Sequence, residues 1–203
     1  MATVTTMTAG TDADTDAAVI RASLADPDRF AAIYDRYASM LYRYAYQRVG
    51  PEIADDVVAE SFLAAFRGRA SYDLARQDAR PWLFGILTRE MATYHRRERA
   101  RYRAMAHSTH DTVQDGPADR ATARVVADAA RGPLAAALAD LTPGDRDVLL
   151  LVAWGQLSYG EVADSLNIPQ GTVGSRLSRA RRKVRLALRG MDPTILTEED
   201  HEI

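Results

Sequence analysis

Residues 176–189 hold Arg176, Arg179, Arg181, Arg182, Lys183, Arg185 and Arg189 without a single Asp or Glu. On a helix, like charges three or four apart each cost about 0.2–0.5 kcal/mol, and a polyanion relieves that repulsion. A second basic stretch holds Arg89, Arg96, Arg97, Arg99, Arg101 and Arg103 against Glu90 and Glu98. The opposite sign gathers at Asp55, Asp56 and Glu60. The first two sit at a helix start, where the macrodipole welcomes a carboxylate; Glu60 lacks that support and repels Asp56 four residues away. Such a face is either a plain solvated one or a dock for a basic helix. Metal chemistry finds little footing. His107, His110 and Asp111, with His95, have ligand types, but most lie in a Gly/Pro-bounded stretch with no scaffold to fix them. No Gly-rich phosphate loop or nucleophile motif is present. The reading is of no catalytic residue, no metal and no cofactor.

These residues belong to a chain of 203 with a formal charge of −2, an apolar fraction of 47% and no cysteine. Disulfides and thiolate zinc sites are thereby excluded, and a reducing cytoplasm suits the composition. Only Lys183 among the 26 basic residues is lysine; arginine suits bidentate phosphate and base contacts. The acids cluster at the ends: Asp12, Asp14, Asp16, Asp26 and Asp28 in residues 1–28, and Asp192, Glu198, Glu199, Asp200 and Glu202 after Met191. The first 18 residues are polar, unlike a signal peptide, and the longest apolar run, Val148–Trp154, is too short for a bilayer. A cytoplasmic protein without membrane insertion is expected.

The periodicity is helical throughout. Residues 1–25 read as a disordered tail. Asp26-Pro27 then opens a helix whose stripe is Phe30, Ile33, Tyr34, Tyr37, Leu41, Tyr44 and Ala45, ending near Gly50-Pro51. A second helix covers about Glu52 to Phe66 and is closed by Gly68. A third opens at Pro81 and carries Trp82, Leu83, Ile86, Leu87 and Met91 into the arginines. These make one small domain, 26–105. Residues 106–133 read as a flexible linker, with a helix over 118–131 stopped by Gly132-Pro133. A second domain covers 134–190, and 191–203 is an acidic tail. The fold class expected is all-α, two small helical domains on a flexible linker.

The second domain reads as a helix-turn-helix. Thr142-Pro143-Gly144-Asp145 is a helix start with proline at its first position, and Gly155 ends that helix. Ser158 and Glu161 have capping-box spacing, Val162, Ala163 and Leu166 form the inner stripe of a short helix, and Asn167 suits a left-handed stop. After Ile168-Pro169, Val173, Leu177, Ala180, Val184 and Leu188 line one face of a longer helix. Its first turns, with Gln170, Thr172, Ser175 and Arg176, would face base edges in a major groove, and Arg179, Arg182 and Lys183 would meet phosphates.

Asp-Asp-Val-Val-Ala-Glu-Ser-Phe-Leu-Ala-Ala-Phe (55–66), Pro-Trp-Leu-Phe-Gly-Ile-Leu (81–87) and the arginines of 96–103 resemble the first conserved domain of sigma-70-family factors. Residues 141–151, 157–163 and 171–181 resemble the C-terminal domain. The two-domain layout with a short linker is similar to the extracytoplasmic-function (ECF) group. The resemblance implies a factor that brings RNA polymerase core to promoters and catalyses nothing itself. It implies that Asp55, Asp56, Glu60 and Leu63 grip the clamp helices of the largest polymerase subunit, with the flap region a second contact. It places Trp82, Phe84, Arg89, Tyr94, Arg96, Arg97 and Arg99 on the −10 element, and Gln170, Thr172, Ser175, Arg176, Arg179, Arg182 and Lys183 on the −35 duplex. It also implies an anti-sigma protein as a further partner. Three positions depart from the family pattern: Arg89 stands in place of asparagine, Gly174 in place of a basic residue, and Pro169 in place of a small hydroxyl cap. The rival reading is a helix-turn-helix regulator that binds DNA without polymerase; it has no use for the acidic 55–60 face.

Overall fold

The computed structural model describes residues 15–108 and 133–188. Among these the chain forms eight α-helices and two short 3-10 turns, with no strand. The N-terminal unit consists of α1 (Asp16–Ser23), α2 (Ala31–Val49), α3 (Pro51–Gly68) and α4 (Arg80–Ser108). The C-terminal unit consists of α5 (Pro133–Ala139), α6 (Pro143–Ala153), α7 (Tyr159–Leu166) and α8 (Gln170–Leu188).

The tail expected over residues 1–25 ends too late: residues 16–23 are helical and packed. Thr15 caps α1 by accepting from the Ala18 amide at 3.3 Å, and Ala17 and Ile20 are buried. Eight residues are too few for an isolated helix, so tertiary contacts must hold it. The buried Asp16 carboxylate supplies them, accepting from the Ala79 amide at 2.8 Å, from Arg36 at 2.7 Å and from the Tyr37 hydroxyl. Burial first, and then the Asp16 contact, push the Tyr37 phenol far above its ordinary range, so it remains a donor. Polar composition hid this helix because its fastening lies on other elements.

A 3-10 turn, Pro27–Phe30, precedes α2, without a side-chain cap from Asp26. Ile33, Leu41, Tyr44, Ala45 and Val49 bury the inner stripe, whereas Tyr34 is half exposed. Gly50, with φ 84°, turns the chain into α3, a conformation that only glycine adopts at little cost. Helix α4 continues to Ser108, past the expected boundary at 105, and Pro133 opens α5 where it was expected to stop a helix. The expected helix 118–131, residues 1–14 and the acidic tail 191–203 lie outside the described residues.

The second unit follows the sequence reading closely. Thr142 accepts from the Asp145 amide at 3.3 Å, Ser158 and Glu161 complete a reciprocal capping box, and Asn167 is left-handed at φ 51°. Val173, Leu177 and Ala180 are buried along α8. In place of a hydroxyl cap, the Pro169 carbonyl accepts from the Thr172 amide at 2.8 Å and the Val173 amide at 3.3 Å.

The two units touch. Helix α4 lies against α7, and the buried apolar side chains of both units form one cluster.

Candidate nucleic-acid interface and acidic docking face

On α8 the basic residues divide between two flanks. Residues 176, 179 and 183 follow one another at helical spacing, and their side chains lean on the start of the second unit. Arg179 makes a two-point contact with Asp145, at 2.9 and 3.4 Å. Arg176 lies over Gly144, and the Lys183 ammonium is 3.5 Å from the Asp140 carbonyl. Burial on its own would raise the Asp145 carboxyl, yet hydrogen bonds from Arg179 and Thr142 and the charges of Arg179 and Arg176 bring it below its ordinary value. Arg179 is therefore tied to its own domain in this structure, and Arg176 covers a turn rather than standing clear. The outward flank holds Gln170, Ser175, Ser178, Arg181, Arg182 and Arg185, all exposed. The sequence analysis counts Arg181 and Arg185 in the basic run without placing them on the −35 duplex; a helical projection anchored on the buried stripe would have done so. Thr172 is half-buried, and its carbonyl accepts from the Ser175 hydroxyl at 3.0 Å.

Helix α4 begins with the apolar segment. Phe84 is wholly buried, its ring 5.1 Å from Tyr44 at 90°, so the expectation that it meets a base is overturned. An aromatic at helical spacing served the core, the commoner use of such a residue. Trp82 is half-buried and packs edge-on against Tyr72, with centroids 4.9 Å apart. Arg89, Arg96 and Arg97 are exposed, while Tyr94 and Arg99 are half-buried, the Arg99 guanidinium donating to the His95 carbonyl at 3.3 Å. The sequence reading missed Arg76 and Arg80, which stand just before and at the start of this helix and pair with Asp164 and Glu161 of α7. They lay outside the arginine run, so density of charge gave no sign of them.

Asp55, Asp56, Glu60 and Leu63 are all exposed on α3. Among the described residues none of the three carboxylates forms an ion pair. Beside them a groove of 550 Å³ runs between α2 and α3, lined by Tyr34, Ala38, Ser39, Tyr42, Arg43, Asp55, Val58 and Ala59. The half-exposed Tyr34 packs against Phe62 with ring centroids 4.8 Å apart and planes tilted by 57°, which keeps its ring at the rim. Apolar groups of Ala38, Val58 and Ala59 line the groove together with the opposite charges of Arg43 and Asp55. Among the described residues no cluster of His, Asp and Glu could hold a metal; His110 and Asp111 lie outside them.

Comparison with known proteins decides the family. The Sigma-70 region 2 model matches residues 33–101, and the Sigma-70, region 4 model matches 131–184. The ECF RNA polymerase sigma factor SigL of Mycobacterium tuberculosis is 35% identical over 180 residues, 88% of this chain and 99% of SigL. The chain belongs to the ECF group of the sigma-70 family. The ECF sigma factor SigW of Bacillus subtilis is 29% identical over 177 residues, 82% of this chain and 92% of SigW. Among solved structures, CnrH in complex with the cytosolic domain of CnrY matches with a TM-score of 0.62 at 27% identity, covering 88% of this chain and 100% of CnrH. The sigma factor RpoE of Bartonella quintana shares the fold, with a TM-score of 0.56 at 23% identity over 79% of this chain and 96% of that one.

As a sigma factor the protein directs RNA polymerase core to promoters and binds promoter DNA. The match of residues 33–101 to region 2 disfavours the rival reading, since a regulator acting on duplex DNA alone needs no such domain. No helix among the described residues is long and apolar enough to cross a membrane.

Proposed function

We propose that this sigma factor divides its work among three surfaces. The acidic face of α3, with Asp55, Asp56, Glu60 and Leu63, docks on the clamp helices of the largest polymerase subunit. The outer side of α4, with Arg89, Tyr94, Arg96, Arg97 and Arg99 and the rim aromatic Trp82, holds the −10 element. The outward flank of α8, with Gln170, Ser175, Arg181, Arg182 and Arg185, enters the major groove at −35, and the second unit meets the polymerase flap. Thr172, Arg176, Arg179 and Lys183 set the angle of α8 as well as lying near the DNA. The reading is supported by one observation above the rest: among the described residues no ion pair holds the exposed Asp55, Asp56 and Glu60 of α3, while exposed arginines stand on α4 and α8.

On this reading the protein is cytoplasmic and performs no catalysis; the polymerase supplies the chemistry. An anti-sigma protein is a further partner, in keeping with the family and with CnrH having been solved bound to the cytosolic domain of CnrY. The test is run-off transcription with purified core. The double variant Asp56→Arg/Glu60→Arg is expected to keep its melting temperature, because both sites are exposed, and to lose core binding and transcripts together. Normal initiation by that variant would show that the docking face is elsewhere.

A further inference from the structure

The turn that leads into α4 is gripped by a residue of α1. The Asp16 amide donates to the Gln77 carbonyl at 3.2 Å, and the Asp16 carboxylate accepts from the Ala79 amide at 2.8 Å. One residue thus holds the backbone on both sides of Asp78. The Tyr37 hydroxyl joins the grip from α2, meeting Asp16 and lying 3.1 Å from the Asp78 carboxylate. Arg36 donates to the buried Asp16 carboxylate at 2.7 Å and balances its charge. The start of α4 needs this help. The first amides of a helix have no intrahelical partner, and Ala79, wholly buried, brings no side-chain oxygen to cap them. Asp16 satisfies the Ala79 amide, Asp78 accepts from the Arg80 amide at 2.8 Å, and Pro81 has no amide hydrogen to satisfy. A carboxylate here also meets the positive pole of the helix. Trp82 follows three residues after Ala79. Tyr72 braces it from the loop: its ring packs edge-on against Trp82, and its hydroxyl donates to the Arg76 carbonyl at 2.7 Å. Burial first, and then the Asp16 charge, push the Tyr72 phenol up to about 12, so it remains a donor.

We infer that Asp16 is a positioning residue for promoter opening: by fixing residues 77–79 it sets the first turn of α4, and with it the place that Trp82 offers to the −10 strand. The inference rests on the reading of α4 as the −10 surface. Asp16 is buried, so it acts through the turn and not on DNA. An unpaired base stacks on a ring that stands at the right place and angle, and a ring ordered in advance spares the cost of ordering it when the strands part. The hydrogen bonds of Asp16 run to α2 and to residues 77–79, away from the docking acids of α3 and the outward flank of α8. Core binding and −35 binding therefore should not depend on it.

The test uses the full-length protein with polymerase core, on a promoter where the unaltered protein gives run-off transcripts. Fluorescence of 2-aminopurine in the −10 element reports opening, and hydrogen exchange of the free protein reports the Ala79 and Arg80 amides. In Asp16→Ala these amides are expected to exchange faster. Opening should slow about tenfold if the turn then keeps its place one time in ten, with core affinity unchanged. Asp16→Asn retains an oxygen for the Ala79 amide and should restore most of the rate. Ile20→Ala, at a wholly buried site of the same helix, controls for lost stability: it loosens α1 but leaves the carboxylate, and should open the promoter at nearly the original rate. Tyr37→Phe removes only the hydroxyl beside Asp16 and Asp78; it serves if Asp16→Ala does not fold, and should slow opening by a smaller factor. Unchanged exchange at Ala79, or an unchanged opening rate, overturns the inference in either variant. So does equal slowing by Ile20→Ala, or a loss of core affinity that matches the loss of opening. If Asp16→Ala slows opening as expected while Trp82→Ala and Arg89→Ala open the promoter normally, the reading of α4 as the −10 surface fails and the role of Asp16 in opening stands.

Discussion

Replacing Arg181 and Arg182 together by alanine separates the two flanks of α8 by a number. Both side chains are exposed, and among the described residues neither forms an ion pair with an acid. Each phosphate contact contributes about 0.9 to the slope of log affinity against log salt on duplex DNA. Loss of two contacts should flatten the slope by about 1.8. Between 0.1 and 0.3 M salt the unaltered protein then loses about sevenfold more affinity than the variant. Stability should hold or rise slightly, since exposed substitutions fall within about ±0.5 kcal/mol and like-charge repulsion along α8 is relieved. Arg179→Ala should behave differently. Its guanidinium is half exposed, which discounts the ion pair for screening, but Asp145 is buried and loses its main charged donor. The expected cost is about 1 kcal/mol, a fall of roughly 5 °C in the melting temperature of so small a unit. The assay is fluorescence anisotropy of reconstituted holoenzyme on promoter duplex at several salt concentrations, with calorimetry of the free protein. An unchanged slope for Arg181→Ala/Arg182→Ala, with a large slope change and no destabilisation for Arg179→Ala, would refute the division.

Acid stability follows from the same contact. Folding lowers the Asp145 carboxyl below its unfolded value near 4, so its contribution is complete above that pH and is lost as pH falls through the lowered value. Urea midpoints measured from pH 7 down to pH 3 should therefore decline less steeply for Asp145→Asn than for the parent. Phe84→Ala should cost about 3–5 kcal/mol by emptying a core site, whereas Trp82→Ala, at a half-buried rim, should cost less and weaken single-strand binding more. Denaturant melts alongside anisotropy with a single strand separate the two. Gly174→Ala meets nothing within 4 Å and should gain about 0.5–1 kcal/mol of helix stability without loss of −35 binding, read by thermal melts and by filter binding.

The helix-turn-helix was legible because its signals are local. The Thr142 and Ser158 caps, the left-handed Asn167 and the stripe Val173, Leu177, Ala180 each act within a few residues of themselves, and local hydrogen bonds and a repeat of 3.6 are properties of sequence order. The acidic face of α3 was legible for a related reason: exposed carboxylates that repel one another at helical spacing stand out in any register. Helix α1 was invisible because Asp16 is satisfied by Arg36, Tyr37 and Ala79, groups 20 or more positions away.

What the tertiary structure alone decided is which charges are free. Sequence order counts Arg179 and Arg182 as equals; folding pairs the first with Asp145 and leaves the second in water. It likewise sank Phe84 into the core beside Tyr44 and brought Arg48, Arg76 and Arg80 to acids 80 to 100 positions along the chain. A charge is neutralised by whatever lies within a few ångströms of it, and for residues so far apart that distance is set by the packing of helices.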